Sequence, residues 1–250
     1  MGAILSYNNF LKTYKTRGYR IKHLENYKSL FPIKTSEILA GIVADLICDG
    51  NLQGDPKWRI DFTSKSIKEL KRFESEINKM FGIKGKIRKC KSNKFGETYN
   101  LAINCSPISR ILFLIGVPSG QKVLSNFEIP EWIKKDKKLF KRFCQRVFTC
   151  EGGIMHELKR KSPQIRLEMW KSEKLINKDN FLKDISKYLK KYFKIDSTIT
   201  NRKAYNIRKD GIITRPTKIY LLGESVKTFS KEIGFEGEKQ TKLNKLMGVV

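Results

Sequence analysis

Two hundred and fifty residues, of which 40% are hydrophobic, are enough for one large domain or for two domains of about 100 residues each. This composition excludes a small disulfide-stabilised protein and a disordered chain. Lys and Arg number 52 against 25 Asp and Glu, and the resulting net charge of +27 opposes compact folding unless a polyanion neutralises it. The charge therefore predicts a nucleic-acid partner.

The sequence offers little support for a membrane segment or a zinc site. No apolar run reaches the ~18 residues that span a bilayer, and the N-terminus lacks a signal-peptide core. The five cysteines include no Cys-x-x-Cys pair, and two histidines are present. We therefore expect a cytoplasmic protein with reduced cysteines and no membrane partner.

In chain order, residues 1–35 form a basic N-terminal extension with few aliphatic side chains. It is equally well interpreted as a basic arm that follows a phosphate backbone or as a poorly ordered leader. Residues 36–118 begin with a helix-spaced apolar run, SEILAGIVADLICDG, that ends in Asp49 and Gly50. The elements predicted after it are a strand at 58–63, an amphipathic helix at 67–83, a basic strand at 84–91, a second strand at 98–105 and a helix at 106–115.

The same order of elements returns in residues 139–250, after a linker with Pro and Gly at residues 119–138. The second apolar run, LFKRFCQRVFTCEG, ends in Glu151 and Gly152. The elements predicted after it are strands at 165–170, 198–208 and 217–222 and helices at 173–195 and 224–233. The chain therefore reads as two copies of one module.

Each copy places an acid at the end of its first helix, where the helix dipole disfavours a carboxylate by ~0.3 to 1 kcal/mol. The glycine behind each acid is expected to be an ordinary left-handed cap. The first of these helices must be buried on most sides, since residues 38–48 are apolar apart from Asp45. If its partner is the equivalent helix of the second copy, Asp49 and Glu151 meet and repel each other unless divalent metal or a proton lies between them.

Residues 42–50 and 144–152 resemble the two motifs of the single-chain LAGLIDADG homing endonucleases, and the linker resembles that of archaeal members. The resemblance extends over about residues 36–235. Ala44 and Arg146 stand where the family usually has glycine, and the large Arg146 predicts a rotated or looser packing of the second helix.

The resemblance implies an α+β fold of two pseudo-symmetric αββαββα modules. Two antiparallel sheets would form a DNA-binding saddle, with the two motif helices at the central interface. It also implies a monomer, encoded within an intron or standing free, that hydrolyses both strands of duplex DNA with Mg²⁺, for which Mn²⁺ can substitute. The implied catalytic metal ligands are the carboxylates of Asp49 and Glu151 and the backbone carbonyls of Cys48 and Cys150.

Two lysines, Lys65 and Lys171, fall at matching points after the first strand of each copy, where the family often places a basic residue near the scissile phosphates. They would stabilise charge or hold water, although in a chain this rich in lysine coincidence is an equally good explanation. Strand alternation puts polar side chains on one face of each sheet, where we expect contacts to base edges and phosphates. The predicted DNA-binding residues are Arg59, Asp61, Thr63, Lys84, Lys86, Arg88, Arg166, Glu168, Trp170, Arg202, Asn206 and Arg208.

Two other functions stay open. One is a non-cleaving nucleic-acid-binding protein of the same fold, either a transcription factor or an RNA maturase with intron RNA as a partner. Such a binder does not need two acids at helix ends. The other is a generic or ribosome-associated RNA-binding protein, which explains the charge but leaves the repeat unexplained.

Overall fold

The computed structural model describes residues 2–14, 19–90, 96–156, 163–178, 180–201 and 203–248. The chain divides into two compact units, Met1–Gly120 (unit one) and Gln121–Val250 (unit two). No helix in the described ranges is both long enough and apolar enough to cross a bilayer.

Unit one contains the first predicted module. Its helices and strands are β1 (Ala3–Leu5), α1 (Tyr7–Leu11), α2 (Tyr19–Leu24), β2 (Ile33–Lys34), α3 (Glu37–Ile47), β3 (Gly50–Gln53), β4 (Arg59–Ser64), α4 (Ile67–Phe81), β5 (Lys86–Lys89), β6 (Tyr99–Ile103) and α5 (Ser106–Leu114). From α3 onward this is the αββαββα order. The strands β3 to β6 form an antiparallel sheet with the order β3-β4-β6-β5.

Local signals in the sequence set the bounds of α4. The hydroxyl of Ser66 accepts the N–H of Glu69 at 3.4 Å and so caps the N-terminus. Gly82 ends the helix in the left-handed region, with φ 67°. The apolar side of α4 is buried, and its Phe73 ring stacks on Phe62 of β4 with the ring centres 4.5 Å apart. The helix therefore covers one face of the sheet.

The described part of the N-terminal extension packs on unit one rather than projecting as an arm or a leader. β1 pairs with β2, and Phe10 of α1 is fully buried. Arg110 of α5 donates to the carbonyl of Thr13 at 3.0 Å, and its guanidinium lies 4.4 Å from the centre of the Tyr14 ring. Aromatic residues of the extension thus build a small core against α5.

Unit two repeats the order and adds to it. Its elements are α6 (Glu131–Lys134), α7 (Lys137–Glu151), β7 (Gly152–Met155), β8 (Gln164–Ser172), α8 (Phe181–Phe193), β9 (Thr198–Asn201), β10 (Asn206–Ile207), β11 (Ile213–Leu221), α9 (Glu224–Glu232) and α10 (Glu238–Met247). The antiparallel sheet has the order β10-β11-β8-β7, and β9 also pairs with β11. The helix predicted at 173–195 is in fact a 3-10 segment, Glu173–Lys178, followed by α8.

Strand register relates the two units residue by residue. The glycine that follows each acid pairs with Phe62 in β4 and with Leu167 in β8. These two residues in turn pair with Leu101 of β6 and Ile219 of β11. Phe62 and Leu167 are therefore equivalent positions, and other positions on β4 and β8 can be matched by counting from them.

Candidate active site and nucleic-acid interface

Both predicted acids lie where a motif helix continues into the first strand of its sheet. In unit one α3 ends at Ile47, and Asp49 lies in the turn before β3. In unit two α7 runs through Glu151, and β7 begins with the next residue. Asp49 is exposed and Glu151 is half-buried. Each carboxylate thus stands at the negative end of a helix dipole, a position that favours a nearby cation.

Lack of space explains the glycine behind each acid. Gly152 has φ −78°, and Gly50 is not among the residues with positive φ, so the expectation of left-handed caps is wrong. A Cβ on Gly152 would lie 2.3 Å from the carbonyl oxygen of Phe148, and one on Gly50 would lie 2.8 Å from the Cα of Leu46. Each strand leaves its helix so closely that a side chain does not fit, and this fixes the path of the backbone next to the acid.

Asp45, the acid inside the first motif helix, is fully buried and ion-paired. Arg72 of α4 donates to it at 2.8 Å, and the same guanidinium donates to Glu69 at 3.1 Å and to Glu76 at 2.8 Å. Losing one partner of a buried pair destabilises a protein by about 3–5 kcal/mol. Arg72 therefore fixes α3 to α4. The lone acid in the apolar run of α3 was the sequence signal that Asp45 needs a basic partner.

Arg146 of the second motif helix is neutralised inside unit two. Its side chain is 1% exposed and pairs with Glu236, which also accepts from Arg142. Burial alone raises the pKa of Glu236, but the charges of Arg146 and Arg142 outweigh it and hold the pKa below its usual value. The segment between α9 and α10 thus accommodates the large side chain that was expected to loosen the helix packing.

A lysine ammonium lies at the C-terminal end of α7. Lys239 of α10 donates to the carbonyls of Thr149 and, at 2.8 Å, Gly152, and its Nζ is 3.4 Å from the carbonyl oxygen of Cys150. An ammonium here stabilises the negative end of the helix. Sequence reasoning missed Lys239, because α10 lies outside the repeated order and was not predicted.

The two lysines predicted to act alike have different surroundings. Lys65 is exposed between β4 and α4. Lys171 is 1% exposed, donates to the carbonyls of Lys122 and Ser125 at 2.9 Å each, and lies 3.5 Å from the centre of the Phe127 ring. Lys171 therefore holds residues 122–127 against the sheet of unit two.

The matching of these lysines is wrong by one residue. Lys65 is three positions after Phe62, and the position three after Leu167 is Trp170. Because side chains alternate along a strand, a shift of one residue moves Lys171 to the opposite face from Trp170. The proposed role of either lysine in phosphate chemistry stays a prediction.

The polar face of the unit-one sheet gathers the predicted side chains around a carboxylate. Asp61 accepts from Gln53 at 2.7 Å and from the guanidinium of Arg59. Asn100 of β6 donates to the hydroxyl of Thr63 at 3.1 Å. The predicted residues Lys84, Lys86 and Arg88 are exposed. In the pairing of β5 with β6, Lys86 lies opposite Ala102 and Arg88 lies opposite Asn100.

The polar face of the unit-two sheet has a similar centre in Glu168. This carboxylate accepts from the indole N–H of Trp170 at 2.9 Å and from Lys218 at 2.8 Å, and Arg166 lies 3.5 Å away. Lys218 of β11 was missed: strand alternation in 217–222 could assign its face, and the register of β11 with β8 places it opposite Glu168. Each face thus presents donors that a carboxylate holds in place and that a phosphate or base edge can engage.

Two of the three remaining predicted residues lie at the end of the unit-two sheet. Asn206 is exposed in β10, and Arg208, just after it, pairs with Asp210 and donates to the side chain of Gln121 at 2.7 Å. Arg202 lies outside the described residues.

The donor groups at the helix ends suit a hard divalent cation, which prefers carboxylate and carbonyl oxygens. Within the described ranges no group of three or more His, Cys, Asp and Glu side chains could hold a metal ion. An ion at Asp49 or Glu151 would therefore need backbone, water and substrate oxygens as further ligands. In unit two the carbonyl of Cys150, which the resemblance implies as a ligand, already faces the ammonium of Lys239.

No protein-family model matches the chain. Three curated relatives are the tRNA-splicing ligase RtcB of Methanopyrus kandleri (26% identity, 90% of this chain), and the replication factor C small subunit (28%, 77%) and the RNA polymerase subunit Rpo1N (29%, 91%) of Methanocaldococcus jannaschii. The chain spans 24%, 11% and 18% of these proteins, respectively.

Solved structures share the fold. The homing endonuclease I-WcaI bound to its DNA recognition sequence has a TM-score of 0.54 at 12% identity, covering 93% of this chain and 96% of that one. Full-length DUF199/WhiA from Thermatoga maritima (0.51, 16%, covering 90% and 65%) and the N-terminal LAGLIDADG domain of DUF199/WhiA (0.51, 15%, covering 94% and 98%) also match. The predicted α+β, two-module LAGLIDADG fold is therefore confirmed.

Proposed function

We propose that this protein is a site-specific endonuclease that hydrolyses both strands of a duplex DNA target with the aid of Mg²⁺. The observation that carries this proposal is the acid and glycine built twice into a helix-to-strand junction, at Asp49 and at Glu151, on a fold shared with a homing endonuclease. A helix end that opposes a carboxylate and a junction that tolerates only glycine are costly features, and both units keep them.

Different residues of the chain bind the metal ion and the DNA. Asp49 and Glu151 would each supply a carboxylate ligand for a divalent ion, and a bound ion would supply charge neutralisation at the attacked phosphate and activation of a water. The ion is Mg²⁺, with Mn²⁺ as a substitute. The polar faces around Asp61 and Glu168 bind the duplex, and Lys65, which is exposed beside its sheet, adds positive charge for the phosphates.

The curated relatives support an activity that belongs to this segment itself. They are named as an RNA ligase, a replication factor and an RNA polymerase subunit, and each resembles the chain over a quarter of its length or less. A segment common to three unrelated activities is not the source of any of them. We take it as a module that different host proteins carry, with its own function on DNA.

A non-cleaving nucleic-acid-binding protein is the second candidate. Two of the solved structures described above are named as WhiA and not as endonucleases, so the fold alone does not decide the activity. The observation that favours a binder is Lys239, because its ammonium already provides positive charge at the end of α7 and faces a carbonyl that a metal would need.

A cleavage selection on a randomised duplex library with Mg²⁺ tests the proposal and identifies the target. We expect Asp49→Asn and Glu151→Gln each to reduce cleavage by a factor on the order of 10² or more, since an ion contributes several kcal/mol of transition-state stabilisation. Binding of the selected duplex should persist in both variants. Glu224→Gln, which changes an exposed carboxylate on α9, is the matched control and should cleave like the wild type.

The outcomes separate the two candidates. Loss of cleavage with retained binding supports the endonuclease. Duplex binding by the wild-type protein without any Mg²⁺-dependent or Mn²⁺-dependent cleavage supports the non-cleaving binder.

A further inference from the structure

The helices that cover the two sheets differ sharply in charge. In unit one α3 and α4 carry four basic and five acidic residues, a net charge of −1. In unit two α7 and α8 carry nine basic and two acidic residues, a net charge of +7. The two pairs hold equivalent places in one module, so the fold does not itself require a basic pair. The charge of α7 and α8 needs another explanation.

This charge is exposed and lies away from the polar face of the sheet. The exposed lysines are Lys137, Lys138 and Lys141 on α7 and Lys183, Lys187, Lys190 and Lys191 on α8. The helices pack on the apolar face of the unit-two sheet, whereas Arg166 and Glu168 alternate to the opposite face. A duplex bound on that polar face leaves the exposed lysines of the helices available.

Aromatic rings join the lysines of the two helices into one surface. The ring of Phe140 on α7 lies 5.5 Å from that of Tyr188 and 5.8 Å from that of Tyr192. The ammonium of Lys191 lies 5.4 Å from the first of these tyrosine rings and 5.2 Å from the second. The ammonium of Lys137 lies 5.1 Å from the centre of the Phe193 ring. We define the lysine–tyrosine face as Lys137, Lys187, Tyr188, Lys191 and Tyr192.

Part of the charge on this face works against local stability. The first turn of α7 contains two lysines, and the carboxylate at this helix start is the N-cap Asp136, which accepts the N–H groups of Lys138 and Leu139. On α8 Lys183, Lys187 and Lys191 follow one another at four-residue steps, a spacing at which like charges repel. A run of three like charges at this spacing does not occur in α3 or α4. Because like charges at this spacing oppose helix formation, the run on α8 is typical of a binding surface.

We infer that the lysine–tyrosine face binds the phosphate backbone of a second nucleic-acid strand, separate from the duplex on the sheets. Lysine acts as a point charge for phosphate, and tyrosine rings can stack on sugars or unpaired bases. The face has no arginine or asparagine for bidentate contact with base edges, so the binding is independent of sequence. The occupant is a single-stranded polynucleotide, which offers both exposed phosphates and unpaired bases, and the RNA and DNA probes of the experiment identify its sugar.

The experiment compares two triple variants of the full chain. Lys137→Gln, Lys187→Gln and Lys191→Gln together remove three charges from the face, and Lys68→Gln, Lys71→Gln and Lys79→Gln remove three exposed charges from α4. Fluorescence anisotropy with single-stranded RNA and DNA of about 20 nucleotides, longer than one typical binding site, is measured over a salt series. Unlabelled duplex serves as the competitor, and thermal unfolding verifies that both variants fold.

We expect the face variant to bind a single strand about 10-fold or more weakly and to have a salt slope shallower by about 2, since each phosphate contact to a single strand contributes about 0.7. The α4 variant should stay within about 2-fold of the wild type, and both variants should bind duplex equally. Retained binding of either RNA or DNA in the presence of duplex supports the proposal and identifies the strand.

Three results would overturn it. An equal loss of single-strand affinity in both triple variants would show that only the net charge of the protein matters. Complete competition between duplex and single strand would place both on one surface. Binding of the face to phosphatidylserine vesicles, with single-strand binding unchanged in the face variant, would assign it to a membrane instead. None of these outcomes depends on cleavage, so failure here is distinct from failure of the proposed endonuclease activity.

Discussion

Adjacent glycines after Glu151 provide a sharp test of the helix-to-strand junction. A Cβ on Gly152 would lie 2.3 Å from the carbonyl oxygen of Phe148, whereas a Cβ on Gly153 would have no atom within 4 Å. The same Phe148 carbonyl accepts the N–H of Gly152, so a methyl group there must displace the last hydrogen bond of α7. Gly152→Ala should therefore lower the free energy of unfolding, whereas Gly153→Ala should leave it unchanged or raise it.

The magnitude for Gly152→Ala follows from three contributions. Overpacking costs about 1–3 kcal/mol, and the weakened hydrogen bond costs about 1 kcal/mol. The less flexible unfolded chain returns about 0.4–1 kcal/mol. The net expectation is a loss of about 1–3.5 kcal/mol, or a fall in Tm of roughly 2–14 °C. Gly153→Ala should be neutral or stabilising by up to about 1 kcal/mol, because only the unfolded-state contribution remains.

Urea unfolding of the full chain and of both variants measures the difference. If Gly152→Ala and Gly153→Ala lose the same stability, or if neither loses any, the argument that space demands glycine behind the acid is wrong. A Gly152→Ala protein that stays folded should also lose cleavage before it loses duplex binding, because the junction fixes the backbone beside Glu151.

Two further predictions concern the charges around α7. The charges of Arg146 and Arg142 outweigh burial and depress the pKa of Glu236, so its contribution to stability is present above the ordinary pKa of about 4.3 and is lost as pH falls through the lower folded-state value. Glu236→Gln should cost about 2–3 kcal/mol at pH 7, with the deficit shrinking below about pH 4; urea unfolding at several pH values checks this, and a deficit independent of pH would contradict it. Lys239→Met should lower the free energy of unfolding by about 1–2 kcal/mol, whereas Lys239→Arg should recover much of it; equal unfolding curves for the two variants would show that the charge does not act on the helix end.

The repeat and the order of its elements were predictable because their signals are local. Helical spacing, strand alternation and caps such as Ser66 and Gly82 act within a few residues, and they gave α4 nearly its observed bounds. The positions of Asp49 and Glu151 at the helix ends were predictable for the same reason. The predicted helix at 173–195 failed, since the strand before it continues to Ser172 and the first part of the helical pattern forms a 3-10 segment.

The site's partners and registers were not predictable in this way. Arg72 lies 27 residues from Asp45, and Glu236 lies 90 residues from Arg146, so nothing in the local pattern connects them. The supposed match of Lys65 with Lys171 was out by one residue when counted from Phe62 and Leu167, because strand pairing sets these equivalent positions and the local pattern does not contain it.

The sequence by itself determined the duplicated α+β module, the basic surface and the two acids, because composition and short-range periodicity depend only on neighbours in the chain. Only the tertiary structure decided which charge neutralises which, that glycine at the junction answers a steric demand, that Lys171 is buried and that Lys239 meets the end of α7. These depend on contacts between residues far apart in sequence, whose geometry exists only once the strands are paired and the helices are packed on them.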